Sequence, residues 1–358
     1  MTMIIIAEKL NGTIPSMAKA IAGRDEEWIK DIARKEAADG AAFIDVCASV
    51  EVGEVETLHW MIDLVQSVTD VPISIDSPST EVLAETYKFC KKPGLFNSVS
   101  MESKKHIDSI FKIMAENSGW EVIAMLCDDT GIPKSAADRL RVFDNIMKKA
   151  EEYGIDPSRI HIDPIIEAAA LMDPDREDGP GITINTKVID AIRAKYPTIH
   201  ITSAISNISH GLPARKYMNY AFASLVLSHG LDSGILDPLN HGMHAIIDTT
   251  EKMLKLSDAE MQKIVGAVKE QTLEDVELPL PDGDFNPKEA RKYAEMSATI
   301  LAMKELQMTV EDLEPDEEDR DIQGVSYAAE ALLGLDEDGY CMSYIEAYKD
   351  DLFGVPKK

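Results

Sequence analysis

The chain has 358 residues, 45% hydrophobic and 28% charged, the composition of an ordinary globular protein with room for a large core. Its formal charge of −28 removes the cationic footprint that nucleic acid or an anionic membrane surface requires, so neither is expected as a partner. Cys47, Cys90, Cys127 and Cys341 form no C-x-x-C pair, and the apolar start is interrupted at Glu8, too soon for a leader or a span. These features predict a cytoplasmic protein with unpaired thiols.

In chain order, eight short apolar runs each stop at a carboxylate or amide followed by turn residues. Residues 3–7 lead into Glu8 and Asn11, 42–44 into Asp45, 72–75 into Asp76, and 95–96 into Asn97. Residues 122–126 lead into Asp128, 161–162 into Asp163, a strand-like run from Ser203 into Asn207, and 234–236 into Asp237. Unbroken apolar runs are what parallel strands buried on both faces look like. Segments 55–69, 106–115, 136–153 and 214–229 lie between them and carry the apolar spacing of helices. Eight alternating units predict an α/β protein, a (β/α)₈ barrel, with its polar strand ends on the catalytic face. No glycine-rich nucleotide fingerprint follows the first strand, and no phosphate-loop motif occurs.

The composition changes near Leu278-Pro-Leu-Pro-Asp-Gly. Asn286-Pro287 then predicts a helix start, 311–321 an exposed acidic linker, and 325–333 and 343–352 two short helices. The expected division is a barrel over residues 1–274 and an acidic helical C-terminal extension over 275–358. That extension would cover one side of the barrel, join a dimer, or dock another protein. His241-Gly-Met-His244 and the spacing of His161 from Asp163 are the nearest approach to a metal set. No Cys or Glu stands at fitting spacing, so no metal is expected.

Six motifs fall in order at consecutive strand ends: Ala7-Glu-Lys-Leu-Asn-Gly12, Ile75-Asp-Ser77, Phe96-Asn-Ser98, Thr130-Gly-Ile-Pro-Lys134, Ile162-Asp-Pro164 and Ser206-Asn-Ile-Ser209. Together, over about residues 3–265, they resemble the pterin-binding methyltransferases. The resemblance is to the methyltetrahydrofolate:corrinoid-protein methyltransferases and to the folate domain of cobalamin-dependent methionine synthase. It implies transfer of a methyl group between N5 of tetrahydrofolate and the cobalt of a corrinoid protein. A dihydropteroate synthase-type enzyme and a non-catalytic folate-binding scaffold are the alternatives. The last strand's Asp237-Pro-Leu-Asn, without arginine, fits the first of these poorly.

The resemblance assigns Asp76, Asn97 and Asp163 to the aminopyrimidinone edge of the pterin, whose N–H groups a carboxylate or amide can accept. It assigns Asn207 to activation of N5, with Asp163 the next candidate, while Glu8, Asn11, Asp45 and Asp128 complete the strand-end set. Arg215 stands at the rim, where it could meet a folate carboxylate. Each residue also has a local reading: Asp76 as a cap of the helix near Thr80, Asp163 and Asn207 as turn holders, Arg215 as a surface helix start. Asp45-Val-Cys47, Asp128-Asp129, His210 and Lys9 depart from the family pattern. The Asp-x-His-x-x-Gly signature of a corrinoid module is absent, so cobalamin is expected on a separate corrinoid protein presented to the barrel top. Residues 173–181 would form a mobile loop on that face. A homodimer is what the family suggests.

Overall fold

The computed structural model describes residues 3–50, 52–103, 106–316, 318–336 and 339–355. Eight strands run β1 (Ile4–Asn11), β2 (Phe43–Cys47), β3 (Ile73–Asp76), β4 (Leu95–Met101), β5 (Glu121–Asp128), β6 (Ile160–Asp163), β7 (His200–Ile201) and β8 (Ser233–Leu236). Every pairing is parallel, in the order β7-β6-β5-β4-β3-β2-β1-β8. A parallel bridge between Ala204 and Ile235, with the Ile235 N–H donating to the Ser203 carbonyl at 2.8 Å, closes β8 onto the residues after β7. The expected (β/α)₈ barrel is present.

The helices between strands are α1 (Pro15–Gly23) and α2 (Glu26–Ala38), α3 (Glu54–Gln66), α4 (Thr80–Thr86), α5 (Asp108–Glu116), α6 (Ala136–Tyr153), α7 (Thr183–Lys195) and α8 (Arg215–Ser228). After β8 come α9 (His241–Met253), α10 (Asp258–Lys269), α11 (Pro287–Leu306), α12 (Val310–Leu313), α13 (Arg320–Leu333) and α14 (Met342–Lys349). Helix α6 spans the expected 136–153, capped by the Ser135 side chain and closed by Gly154 at φ 67°. Asn286 caps α11 and Pro287 opens it, as the sequence predicts.

Register decides which side chains enter the barrel, because in-register neighbours on parallel strands share a face. Ile6 pairs with Phe43, Asp45 with Ser74, Asp76 with Cys47 and Asn97, and Asn97 with Ile123. Ile6, Phe43, Leu95 and Ile123 form a separate apolar cluster, a plug inside the barrel floor. One layer higher the lining turns polar. The barrel is thus sealed below and chemically equipped above.

Two expectations change. The run from Ser203 is not a strand: β7 is only His200–Ile201, and Ile205–Ser209 makes a 3-10 turn. A short apolar run has no period long enough to separate strand from helical turn. The described residues of 311–321 are largely exposed, as expected, but they are not merely a linker. Val310 and Leu313 are buried in α12, and Asp321 is 9% exposed inside α13, which starts at Arg320 rather than near Val325. Much of the acidity there is helix capping: Asp312 closes a capping box with Thr309, and Asp319 accepts from the amides of Asp321 and Ile322.

The C-terminal helices share the barrel's core. Helix α11 packs on α8, α9 and α10, and α13 packs on α8 and α11. Ten of the fourteen residues of α8 are buried, which places that helix between barrel and C-terminal layer rather than on a surface.

Candidate active site

On the β2–β4 side, period-two alternation points Asp45, Ser74, Asp76 and Asn97 inward. Asp45 is 1% exposed and accepts from the Ser74 hydroxyl at 2.5 Å and the Asn97 amide at 3.1 Å. Burial, then the neighbouring Asp76, hold its carboxyl well above the usual carboxylate range, against those two hydrogen bonds. Asp76 does not cap α4; Ser79 does, accepting from the Val82 amide. Its register with Asn97 and Cys47 places Asp76 on the inner face. Beside it the Cys47 thiol is pushed up to about 12 by burial and by the Asp76 charge, which makes it inert rather than nucleophilic.

On β6, Asp163 holds its own turn by accepting from the Ile165 amide at 2.7 Å. Burial still lifts it to about 6, with that amide and Arg139 pulling the other way. Arg139 is 1% exposed and donates to the carbonyls of Pro133, Pro164 and Ile165, so it clamps the chain just beyond Asp163. Asp163 thus holds its turn while remaining a buried carboxylate at the end of β6.

The β1–β8 side carries a second acidic group. Lys9 pairs with Asp237 at 2.7 Å. Glu8, partly buried beside them, is pushed up to about 7 by burial and then by Asp237; Lys9, Arg215 and a hydrogen bond with Ser206 oppose the shift. Glu36, on α2, has no exposure at all. One of its oxygens accepts from the Lys9 amide at 2.9 Å, and the other has no hydrogen-bond partner among the described residues. Burial takes this carboxyl to about 8.

Asn207 lies in the 3-10 turn after β7 with an exposed side chain that makes no hydrogen bond among the described residues. Its turn is pinned by Arg215, whose Nε donates to the Ser209 hydroxyl at 2.9 Å and whose Nη2 donates to the Ser206 carbonyl at 2.6 Å. In this structure Arg215 serves the turn.

Two predicted residues are engaged elsewhere. Asn11 accepts from both the amide and hydroxyl of Thr13, and Asp128 accepts from Thr130 and from Arg141 of α6. Those contacts hold βα turns. His241 is exposed and pairs with Asp39 at 3.4 Å; among the described residues no group of three or more metal-capable side chains occurs. Residues 173–181 are tethered: Arg176 pairs with Glu167 at 3.0 Å and Asp178 accepts from the Ala136 amide at 2.7 Å. Ser74, Arg139 and Glu36 went unread in the sequence. Ser74 sits two residues before Asp76, so strand alternation alone would have turned it inward. Glu36 is one carboxylate among many in a helix and carries no such signal.

Inward carboxylates and amides stand at the open end of a parallel barrel plugged with apolar side chains, an arrangement of the class of barrel proteins whose mouth offers hydrogen-bonding groups suited to a small heterocycle. The chain belongs to the pterin binding enzyme family, which matches residues 8–237, from Glu8 on β1 to Asp237 just past β8. It is 42% identical over 255 residues to a methylcorrinoid:tetrahydrofolate methyltransferase of Eubacterium limosum, covering 70% of this chain and 91% of that one. It is 28% identical over 248 residues to the methionine synthase of Mycobacterium tuberculosis (strain ATCC 25618 / H37Rv), covering 66% of this chain but 20% of that protein. Among solved structures, the 7,8-dihydropteroate synthase of Vibrio fischeri ES114 superposes with a TM-score of 0.49 at 16% identity, over 72% of this chain and 94% of that one.

Proposed function

We propose that this protein moves a methyl group between N5 of tetrahydrofolate and the cobalt of a corrinoid carried by a separate protein. The observation that carries the reading is the inward set of Asp76 and Asp163, at the ends of β3 and β6, and Asn97, inside β4 and in register with Asp76. The 42% identity to a methylcorrinoid:tetrahydrofolate methyltransferase supports it. Asp76 and Asp163 accept pterin N–H groups, and Asn97, already donating to Asp45, offers its carbonyl to the same edge. Asp45 and Ser74 hold that amide in place, so Asp45 supports recognition rather than making it.

In the direction away from folate, the methyl carbon–N5 bond breaks and its electron pair stays on nitrogen, which takes a proton. Cobalt(I) supplies the pair for the new bond and ends as methylcobalt(III). Neutral N5 is a poor leaving group unless it is protonated or strongly hydrogen-bonded as the bond breaks. Asn207 supplies that hydrogen bond from the β7–α8 turn. Glu8, bonded to the adjacent Ser206 and lifted to about 7, retains a proton near neutrality and is the donor best matched to the task. The reverse reaction returns the proton by the same route. The residue 1–274 barrel unit and the 275–358 extension act together, in a homodimer in a reducing cytoplasm. The free state of Cys47, Cys90, Cys127 and Cys341 supports that compartment.

Calorimetric titration with methyltetrahydrofolate and with a dihydropterin pyrophosphate tests the ligand, and methyl transfer to free cob(I)alamin tests the reaction. Tighter binding of the pyrophosphate would point to dihydropteroate synthesis. Folate binding without turnover would point to a scaffold.

A further inference from the structure

We propose that Tyr344, in the last helix of the C-terminal extension, is a positioning residue for the turn that carries Asn207. The inference rests on the reading that this turn acts on folate N5. It adds a residue that lies outside the family match, which ends at 237.

The contacts form a continuous chain from extension to turn. Tyr344 is fully buried, and its hydroxyl donates to the Ala214 carbonyl at 3.0 Å. Ala214 is the residue that opens α8, and it does so in the left-handed region, φ 47° and ψ 36°, which a side chain adopts only at a cost. That conformation delivers Arg215 backward onto Ser206 and Ser209, the two residues flanking Asn207 and Ile208. Tyr344 thus holds the hinge from which Arg215 reaches the turn.

A second fastening lies two and three residues further on. The Tyr217 hydroxyl donates to Asp321 of α13 at 2.5 Å, and Lys216 meets the same carboxylate at 3.0 Å. Lys292 of α11 pairs with it as well. Gly324 of α13 lies flat on the Tyr217 ring: a Cβ there would sit 2.6 Å from ring carbons, so the glycine permits this approach. Residues 214, 216 and 217 are thereby all fixed by the extension, whereas Asn207 itself is exposed. The same helices seat the preceding βα loop. The Ile182 amide donates to the Leu332 carbonyl at 2.9 Å, and a Cβ on Gly181 would sit 2.2 Å from that oxygen. Two hydrogen bonds and a charge cluster on one short segment exceed what covering an apolar helix face requires.

Tyr344→Phe removes only the hydroxyl and keeps the ring in its packing. Single-turnover transfer at saturating methyltetrahydrofolate is expected to slow about five- to tenfold, the loss of one net hydrogen bond. Folate affinity should stay unchanged, and amides of residues 205–214 should exchange faster with solvent. In the Asn207→Ala background the same change should add no further slowing, because its effect passes through that turn. Unchanged transfer with unchanged amide exchange overturns the proposal, as does slowing that multiplies with Asn207→Ala. Should Asn207→Ala itself transfer methyl normally, the assignment of N5 activation to Asn207 fails, while amide exchange in Tyr344→Phe still decides whether the extension braces the turn.

Discussion

The β2–β4 side of the mouth and the β7–α8 turn are positioned by opposite means. Asp45, Ser74, Asp76 and Asn97 belong to strands in register, so the ladder that makes the barrel also fixes their spacing, and the hydrogen bonds that join Asp45 to Ser74 and Asn97 are buried. Asn207 belongs to no ladder. It rides on a 3-10 turn held by one arginine and, through α8, by helices more than a hundred residues away in sequence. Pre-organisation is inherent to the first region and imported to the second. Recognition wants a fixed pattern of acceptors, which strands provide. A group that must strengthen its contact as N5 gains positive character can sit on a turn whose position is set from outside.

From that contrast, the largest effect is expected for Asn207→Ala. Interactions that strengthen only at the transition state appear in rate, so transfer should slow by roughly 10²–10³-fold with much less change in folate affinity. Single-turnover rates and separately measured dissociation constants check the split; near-normal transfer would shift the role to Asp163. On the recognition side the pattern reverses. Asp76→Ala or Asp163→Ala should weaken methyltetrahydrofolate binding by about 1–3 kcal/mol, because each strands a pterin donor in a desolvated site. Full-strength binding in both folded variants would dismantle the proposed pocket.

A smaller effect sharpens the proton assignment. With Glu8 at about 7, the protonated fraction falls as pH rises, so transfer from methyltetrahydrofolate should decline above pH about 7, approaching tenfold per unit. Glu8→Gln should remove that limb; a profile identical to the parent's would clear Glu8 of the role. The smallest effect concerns Glu36. Its folded value of about 8 lies above the ordinary 4.5, so the folded state binds the extra proton between those values. Stability from this group is fully present below about pH 4.5 and is lost as pH rises to about 8. Glu36→Gln should therefore raise the melting temperature at pH 9 by at least about 2 °C and much less at pH 5. Equal shifts at both pH values would mean that ionisation is not the cause.

Much of this was legible because a parallel barrel writes itself into sequence locally. Apolar runs ended by polar residues located every strand but the seventh, and Ser135, Gly154, Asn286 and Pro287 marked helix ends by chemistry that needs no distant partner. The strand-end positions of Asp76 and Asp163 were readable for the same reason, whereas the run expected to stop at Asn97 continues as β4 to Met101. The reading failed where local signals are degenerate. Residues 203–206 are too few to show a period, and the acidity of 311–321 looked like solvation although Asp312 and Asp319 cap helices and Asp321 is buried beneath lysines and a tyrosine.

The sequence by itself determined the barrel, its polar strand ends and the family, since each follows from residues close together along the chain. Only the tertiary structure decided that Asp45 is an internal support for Asn97, that Glu36 from α2 joins the acidic group around Lys9, and that the C-terminal helices hold α8 and its preceding turn. Those pairings join residues 27 to 130 positions apart. Hydrogen bonds at that separation are set by how layers pack, and no short-range pattern of residue types encodes which helix will cover which strand.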